Sequence, residues 1–281
     1  MKTLHDVPAP AKLNLFLHIT GRRPDGYHLL QSVFMLIDWC DTLHFEKRSD
    51  GVISREDLSV ALPAQDLITR AASLLQRHTG CTLGAHIAVD KHIPTQAGMG
   101  GGSSDAATCL LALNRLWNLN LDLATLEKMG LELGADVPFF LRGRNAWVEG
   151  VGEKITPIDL PPAQFWVVKP PQGIHTSEIF AHMDLKRDTN AATMSVFAAD
   201  LYDFGHNDLQ PVAQALCTGV TQALQVLGNA GLNARMTGSG SAVFAPCDAN
   251  TPEISVPDGF LARRCSNMES HPLRGWVSSE S

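Results

Sequence analysis

Apolar residues alternate with other residues near the start of the chain. From Leu13 to Ile19, every second position is leucine or isoleucine, which is the period of a β-strand. Successive side chains of a strand point to opposite faces, so Lys12 and Asn14 lie on the face opposite those leucines. The pattern therefore predicts a strand over 11–19 that carries two polar side chains side by side.

The remaining patterns predict a mixed succession of strands and helices. Apolar, β-compatible runs predict strands, and apolar residues at helical spacing predict helices that polar N-caps and glycine C-caps delimit. The predicted strands are 29–45, 85–93 and 165–169, with β-like runs on both sides of 237–241, and the predicted helices are 66–78, 106–117, 123–133 and 212–227. A cluster of prolines over 156–164 predicts a domain boundary, and the residues from Ser266 onwards predict no element.

Composition and charge narrow the class of protein. With 281 residues, 44% of them hydrophobic, the chain can form one large or two ordinary domains with a sizeable core. A net charge of −7 argues against a nucleic-acid binder. The six cysteines include no CxxC pair, so we expect neither zinc nor redox chemistry. No apolar stretch approaches the ~18 residues of a membrane span, and no signal peptide is recognisable, so we expect a cytoplasmic protein without a membrane partner.

A glycine-rich loop separates a predicted strand from a predicted helix. Within 94–104 (PTQAGMGGGSS), four glycines precede two serines at the start of the helix. Glycines let the backbone approach an anion closely, and a helix N-terminus offers unpaired N–H donors, so we expect a polyphosphate ligand. The loop lacks the lysine of a P-loop and the glycine spacing of a dinucleotide-binding fingerprint. A flexible strand-to-helix turn without a ligand is the structural alternative.

Lys12 and Asp136 could complete a site for phosphoryl transfer to an alcohol. Such a reaction needs a group that holds the phosphates, a cation that stabilises developing charge and a carboxylate that orients the acceptor hydroxyl group. Each residue also has a simpler interpretation, since Asp136 precedes Val137-Pro138 and could be a helix N-cap, and Lys12 could be a surface lysine.

Three segments together resemble the motifs of the GHMP kinases, the superfamily of galactokinase, homoserine kinase and mevalonate kinase. They are 10–15 (PAKLNL), 94–104 (PTQAGMGGGSS) and 237–241 (TGSGS). A finer likeness is to the branch that phosphorylates a cytidine diphosphate-linked polyol, and it rests on 23–28 (RPDGYH), 133–139 (LGADVPF) and 149–153 (EGVGE). The combination covers most of the first half of the chain and extends into the second.

The resemblance implies an ATP-dependent alcohol kinase with Mg²⁺ and ATP as cofactors. Its acceptor would be the 2-hydroxyl group of a small cytidine diphosphate-linked polyol, in the non-mevalonate route to isoprenoid precursors. The implied fold is α/β (α+β) with two domains, a ribosomal-protein-S5-like ATP-binding domain over 1–158 and a ferredoxin-like domain over 159–281. The substrate cleft would lie between them, and the protein would be a monomer or weak homodimer.

The resemblance also assigns roles to individual residues, but it assigns no metal ligand. Lys12 and Asp136 would be the catalytic pair. The ATP-binding residues would be Pro94, Thr95, Gln96, Ala97, Gly98, Met99, Gly100, Gly101, Gly102, Ser103 and Ser104. The substrate-binding residues would be Asn14, Tyr27, His28, Thr176, Phe180, Gly238 and Ser239.

Three departures and three alternatives accompany this hypothesis. The chain has 95–97 (TQA) where relatives carry more glycine, Asp66 where relatives usually have asparagine, and a dissimilar tail from Ser266. The alternatives are a GHMP kinase for a simpler alcohol such as mevalonate or homoserine, a diphosphomevalonate-decarboxylase-like enzyme, and a nucleotide-binding regulator without catalysis. Tyr27 and His28 favour the cytidine hypothesis, because an aromatic ring can stack on cytosine and an imidazole can contact its polar edge.

Overall fold

The computed structural model describes residues 1–277 of the chain as strands, helices and connecting loops. Within this range ten strands form two sheets: β1 (Thr3–Arg22), β2 (His28–Arg48), β3 (Ile53–Asp57), β4 (Gly84–Asp90), β5 (Ala146–Gly150), β6 (Lys154–Pro157), β7 (Gln164–Lys169), β8 (Arg235–Met236), β9 (Val243–Cys247) and β10 (Leu261–Ser266). The same residues form eight helices: α1 (Leu67–Thr79), α2 (Gly101–Leu116), α3 (Leu123–Leu133), α4 (Val137–Arg142), α5 (Thr176–Ala181), α6 (Met194–Ala198), α7 (Gln210–Leu216) and α8 (Thr218–Asn229). None of the helices in residues 1–277 has the length and hydropathy required to cross a bilayer.

Strand β2 organises the first sheet. One edge of β2 pairs with β1 along most of its length, and the other edge pairs with β5 near the start and with β4 near the end. The remaining strands extend the sheet outwards, in the order β3-β4-β2-β5-β6. The predicted strand over 11–19 is therefore the middle of β1. In its pairing with β2, Lys12 lies opposite Leu36 and Asn14 lies opposite Phe34.

The second sheet has the order β10-β7-β9-β8, and all of its pairs are antiparallel. Alternate side chains of β7 enter different cores, since Phe165 and Val167 face the first sheet while Trp166 and Val168 face α7 and α8. The first sheet likewise packs α1 to α4 on its other face. The fold therefore has four layers, in the order helices, first sheet, second sheet, helices. Strands that are buried on both faces have nearly continuous apolar sequences.

The prediction of one continuous helix over 212–227 is wrong. The structure divides it into α7 and α8 at Cys217, which is extended with φ −142° and ψ 103°. The break lets Gly219 pack against the end of β7, where an added Cβ atom would lie 2.8 Å from Cβ of Pro170. Tertiary packing between the two halves of the sequence therefore overrides a continuous helical pattern.

Residues 267–277, for which the sequence predicted no element, return to the first sheet. The backbone N–H of Met268 donates to the carbonyl of Leu36 at 2.9 Å, and Asn145 donates to the carbonyl of Met268 at 2.8 Å. Leu273 is buried in the core between the first sheet and its helices. Because the last described residues pack on the first half of the chain, the division after residue 158 stays a proposal.

Candidate active site

A cleft of about 1110 Å³ draws its lining from both halves of the chain. The predicted catalytic pair, the predicted substrate-binding residues and the glycine loop all line it, with Ser104 as the exception. Ser104 lies one residue further into α2 and is fully buried, and its backbone N–H donates to the carbonyl of Gly100. The structure thus brings the separate sequence motifs together in one place, with Ser103 rather than Ser104 at the surface of the cleft.

The glycine loop delivers the N-terminus of α2 to the cleft. Gly100 is the N-cap, adopts φ +72° and makes no side-chain cap hydrogen bond. The first N–H groups of the helix, on Gly101, Gly102 and Ser103, are therefore available to a ligand. An added Cβ atom at Gly100 would lie 2.9 Å from the ring of Phe140 and 3.3 Å from Cε of Lys12, so only glycine fits between them. Unpaired N–H groups at a positive helix end are suited to bind phosphate.

The two glycine loops touch each other through their backbones. Ser241 donates to the carbonyl of Gln96 at 3.1 Å, and Ala242 donates to the carbonyl of Ala97 at 3.2 Å. Gln96 has φ +50°, a conformation that glycine adopts without strain. The contact between the loops is therefore formed with glutamine in a backbone conformation that glycine adopts more readily.

Lys12 is buried at the centre of the cleft, with an exposed fraction of 3%. Its ammonium group donates to Asn14, lies 3.6 Å from Oδ2 of Asp136 and stands 4.6 Å from the centre of the Phe34 ring. Burial lowers the pKa of Lys12 below its usual 10.5, and the charge of Asp136 partly opposes this shift. The interpretation of Lys12 as a surface lysine is therefore wrong, because its charge is held inside the protein next to the N-terminus of α2.

Asp136 occupies the N-cap position of α4 but does not cap that helix. Its side chain accepts no hydrogen bond from the helix backbone and remains 31% exposed to the cleft. Pro138 in the first turn lacks an N–H group that would need a cap. The carboxylate is consequently available to Lys12 on one side and to a ligand on the other.

Asn14 is fixed by hydrogen bonds on three sides. Its Nδ2 group donates to Oγ of Ser32 at 2.9 Å, its backbone N–H donates to Oγ1 of Thr237 at 2.8 Å, and its Oδ1 atom accepts from Lys12. Because Thr237 belongs to the second glycine loop, Asn14 links Lys12 to both halves of the protein. Asn14 thus holds the ammonium group of Lys12 and also lines the cleft.

The opposite end of the cleft is aromatic. Tyr27 projects into solvent with 65% of its surface exposed, and the ring of His28 lies 5.1 Å from that of Phe180 at an angle of 35°. Thr176, one turn before Phe180 on α5, shares a hydrogen bond of 2.7 Å with Ser239 of the second glycine loop. This end can accommodate a flat, partly polar ring between aromatic side chains.

A buried ionic cluster that no sequence pattern predicts lies under the glycine loop. Lys91 binds the carboxylates of Asp41 and Asp105, at 2.6 Å for Asp105, and Asp41 also accepts from the backbone N–H groups of His92 and Ile93. Burial raises the pKa of Asp105 to about 8, against the opposing effect of Lys91. The cluster anchors the residues that lead into the loop, and its members are too far apart in the chain for a spacing pattern to reveal it.

Asp66 carries a compensated charge. It caps α1 by accepting from the backbone of Thr69 at 3.0 Å, and Nη1 of Arg55 lies 2.9 Å from the same oxygen. Asp66 therefore does not present a free negative charge to the cleft. Among residues 1–277, no group of three or more histidine, cysteine or carboxylate side chains could hold a metal ion.

The chain is similar to known proteins over its whole length. Two family models match, "GHMP kinases N terminal domain" over residues 66–144 and "GHMP kinases C terminal" over residues 187–254. The 4-diphosphocytidyl-2-C-methyl-D-erythritol kinase of Variovorax paradoxus (strain S110) is 61% identical over 99% of this chain and 100% of the relative. The protein of the same name from Paracidovorax citrulli (strain AAC00-1) is 62% identical, with 100% of both chains covered.

A solved structure shares both the sequence likeness and the fold. The crystal structure of a 4-(cytidine 5'-diphospho)-2C-methyl-D-erythritol kinase is 32% identical, with a TM-score of 0.76. The match covers 92% of this chain and 98% of that one.

Proposed function

The chain belongs to the 4-diphosphocytidyl-2-C-methyl-D-erythritol kinase family of the GHMP kinases, and we propose that it transfers the γ-phosphoryl group of ATP to the 2-hydroxyl group of that cytidine diphosphate-linked polyol. The family membership confirms the two-domain GHMP kinase fold and the ATP-dependent kinase class that the motifs predicted. The single observation that carries the residue assignments is the meeting of Lys12, Asp136 and the N-terminus of α2 at one point of the cleft.

Phosphoryl transfer needs positive charge where the transferring group develops negative charge. The N–H groups at the start of α2 would hold the triphosphate of ATP, and the buried ammonium group of Lys12 would lie beside the γ-phosphate. A cation held away from water stabilises such charge more strongly than a hydrated one. Asn14 and Phe34 keep Lys12 in place without neutralising it.

Asp136 is the residue that would handle the acceptor alcohol. Its carboxylate faces both Lys12 and the open cleft, so it can accept a hydrogen bond from the hydroxyl group that attacks the phosphate. Because the transition state of phosphoryl transfer is loose, orientation of the hydroxyl group matters more than early removal of its proton. The released proton would then pass to Asp136 as the new phosphate ester forms.

The aromatic end of the cleft would hold the cytosine. The polyol chain then extends towards Asp136, past Thr176 and the second glycine loop, whose residues Gly238 and Ser239 line the same side. A simpler acceptor such as mevalonate or homoserine would leave Tyr27, His28 and Phe180 without a partner. This is the structural reason to favour the cytidine-linked substrate over the smaller alcohols.

Mg²⁺ is part of the proposal because ATP enters such sites as its magnesium complex. The cleft fits a loosely held ion, since magnesium is usually bound by phosphate oxygens with one or two protein oxygens. The hydroxyl group of Ser103 and the carboxylate of Asp136, which both line the cleft, would be those protein ligands. When bound, the ion neutralises phosphate charge. A cytoplasmic location and a monomeric or weakly dimeric state stay predictions from the sequence.

ADP release with Mg-ATP tests the proposal, with the cytidyl polyol offered beside mevalonate, homoserine and galactose. We expect turnover with the cytidyl polyol alone. Asp136→Asn should lower kcat by about 100-fold or more, because it removes the charge that orients the acceptor. Its melting temperature should fall somewhat, because the buried ammonium group of Lys12 loses its carboxylate partner, so circular dichroism is used to check that the variant is folded at the assay temperature.

Two results would contradict the proposal. Turnover with a small alcohol but not with the cytidyl polyol would exclude a cytosine site at Tyr27 and His28. Full activity of Asp136→Asn would exclude Asp136 from the catalytic pair while leaving the substrate assignment intact.

A further inference from the structure

Arg187 forms a hydrogen bond with His28 at the aromatic end of the cleft. Its Nε group donates to Nε2 of His28 at 3.0 Å, across a sequence separation of 159 residues. His28 lines the cleft, whereas Arg187 does not and is half-buried behind that wall. The arginine therefore acts on a ligand through His28 and not by direct contact.

The rest of the Arg187 guanidinium is tied to backbone carbonyl groups. It donates to Leu185 at 2.9 Å, to His182 at 2.8 Å and to Phe180 at 3.3 Å. These carbonyls belong to the end of α5 and the loop that follows it, so the side chain has one orientation. Arg187 thereby joins the start of β2, which carries His28, to the helix that carries Phe180, the two residues that we place around the cytosine.

The direction of this hydrogen bond determines the protonation state of His28. A guanidinium group has five N–H donors and no acceptor, so Nε2 of His28 must be the unprotonated nitrogen. A neutral imidazole has one proton, and it must then lie on Nδ1. Burial and the charges of Arg187 and Arg22 lower the pKa of His28 below 6.5, which is consistent with a neutral ring.

We propose that Arg187 is a positioning residue for base recognition, which fixes His28 in the Nδ1–H tautomer so that the ring offers a hydrogen-bond donor to the acceptor atoms of cytosine. The inference rests on the proposed function, because it names how the cytosine end of that substrate is recognised. Cytosine presents two acceptors on its polar edge, O2 and N3, beside its amino group. Within residues 1–277 no protein group accepts from Nδ1 of His28, so this donor is available to the base.

The tautomer is measured directly by NMR of the ¹⁵N-labelled protein near neutral pH. The chain has 11 histidines, so the resonances of His28 are assigned by their absence in His28→Asn. We expect a neutral ring with its proton on Nδ1 in the wild type and a shift towards the Nε2–H tautomer in Arg187→Met. A charged ring or an Nε2–H tautomer in the wild type would overturn the proposal. This measurement needs no activity, so it remains valid even if the proposed substrate is wrong.

Steady-state kinetics test the consequence for binding. Arg187→Met should raise KM for the cytidyl polyol by about tenfold, the loss of one well-placed hydrogen bond, while KM for ATP stays unchanged. Lys186→Met is the matched control, since it removes the adjacent exposed positive charge, whereas the charges that act on His28 are those of Arg187 and Arg22. It should leave both constants unchanged. An equal rise of both KM values in Arg187→Met would indicate general damage and would contradict the positioning role.

A second substitution separates positioning from folding. The side-chain amide of His28→Asn can place an N–H group near the position of Nδ1 without help from Arg187. In that background Arg187→Met should change KM for the polyol by less than about twofold. If Arg187→Met has the same effect in both backgrounds, the arginine does not act through His28 and the proposal fails.

Discussion

Two buried lysines lie beside the glycine loop, and their partners differ in exposure. Lys12 faces Asp136, whose side chain is 31% exposed, whereas Lys91 faces Asp41 and Asp105, which are almost completely buried. A buried charge that loses its partner is far more costly than an exposed one, which water can solvate. The two lysines should therefore respond to the same substitution in opposite ways.

We expect Lys12→Met to abolish activity and to leave the protein folded. The activity should fall by about 100-fold or more because the cation beside the γ-phosphate is lost. The free energy of unfolding should change by less than about 1 kcal/mol, since methionine replaces a buried ammonium group and Asp136 can be hydrated.

Lys91→Met is the matched control, and it should lower the free energy of unfolding by about 3–5 kcal/mol because it leaves the buried acid pair of Asp41 and Asp105 without its cation. Urea denaturation and ADP release measure both variants. Equal destabilisation by the two substitutions would show that the environment of Lys12 is not the one described above.

The pH dependence of the rate provides an independent test of Lys12. Only the charged ammonium group can stabilise the phosphoryl group, and burial lowers the pKa of Lys12 below 10.5. The plot of kcat/KM against pH should therefore fall on its alkaline side below pH 10.5, since this ratio reports the free enzyme. In Lys12→Arg the normalised alkaline limb should move to higher pH, because a guanidinium group does not deprotonate. An identical limb in both proteins would assign it to another group.

At the scale of elements, the contact between the two glycine loops depends on Gly98. This residue has φ +72°, and an added Cβ atom would lie 2.2 Å from the carbonyl oxygen of Thr237 and 2.8 Å from the backbone nitrogen of Gly240. From the sequence, a glycine at this position is expected to allow close approach of a phosphate. The structure shows that its first neighbour is the other loop, whose backbone cannot move aside without opening the cleft.

Gly98→Ala should therefore separate the loops. We expect activity to be lost and the free energy of unfolding to fall by about 1–3 kcal/mol, because the backbone is strained and the contact is overpacked. Gly228→Ala in α8 is the control, since an added Cβ atom there meets nothing within 4 Å. That variant should gain about 0.5–1 kcal/mol from helix propensity and keep full activity. Wild-type activity in Gly98→Ala would contradict a role for this contact.

The elements that sequence patterns predicted well are those whose cause is local. Asp122 caps α3 as its position before a helical pattern predicts, and the end of α1 at Gly80 has φ +66° as a glycine cap requires. Asp66, which the pattern placed inside the first helix, is the N-cap of α1. The break at Cys217 was missed because its cause, the packing of Gly219 on Pro170, lies across the fold. The same distinction applies to the candidate site. Its motifs could be recognised in the sequence, whereas the hydrogen bond between Arg187 and His28 could not, because it joins distant segments of the chain.

For the whole molecule, the last described residues connect the two halves. Residues 267–277 leave β10, bond to β2 and to the loop after α4, and bury Leu273 and His271 against the first half of the chain. His271 donates its backbone N–H to Gly143 at 2.9 Å and accepts from the backbone of Leu273 through Nδ1 at 3.1 Å. The role of this segment in joining the two halves follows from its packing.

Acidification should weaken this connection through His271. Burial lowers the pKa of His271 from 6.5 to about 3, so below pH 6.5 the unfolded chain binds a proton that the folded protein excludes. This group therefore stabilises the fold fully above pH 6.5, and its contribution is lost as the pH falls towards 3.

His271→Asn keeps an acceptor for Leu273 but does not titrate, so it serves as the reference. Urea denaturation from pH 7 to pH 4 should show the wild type losing a few kcal/mol relative to this variant, at about 1.4 kcal/mol per pH unit below the unfolded pKa. Because the pKa of Asp105 is raised, its titration increases the free energy of unfolding as the pH falls. This effect is the same in the wild type and in His271→Asn, so it cancels from the comparison. A difference that does not change with pH would mean that the tail opens and hydrates His271 without unfolding the two halves that it joins.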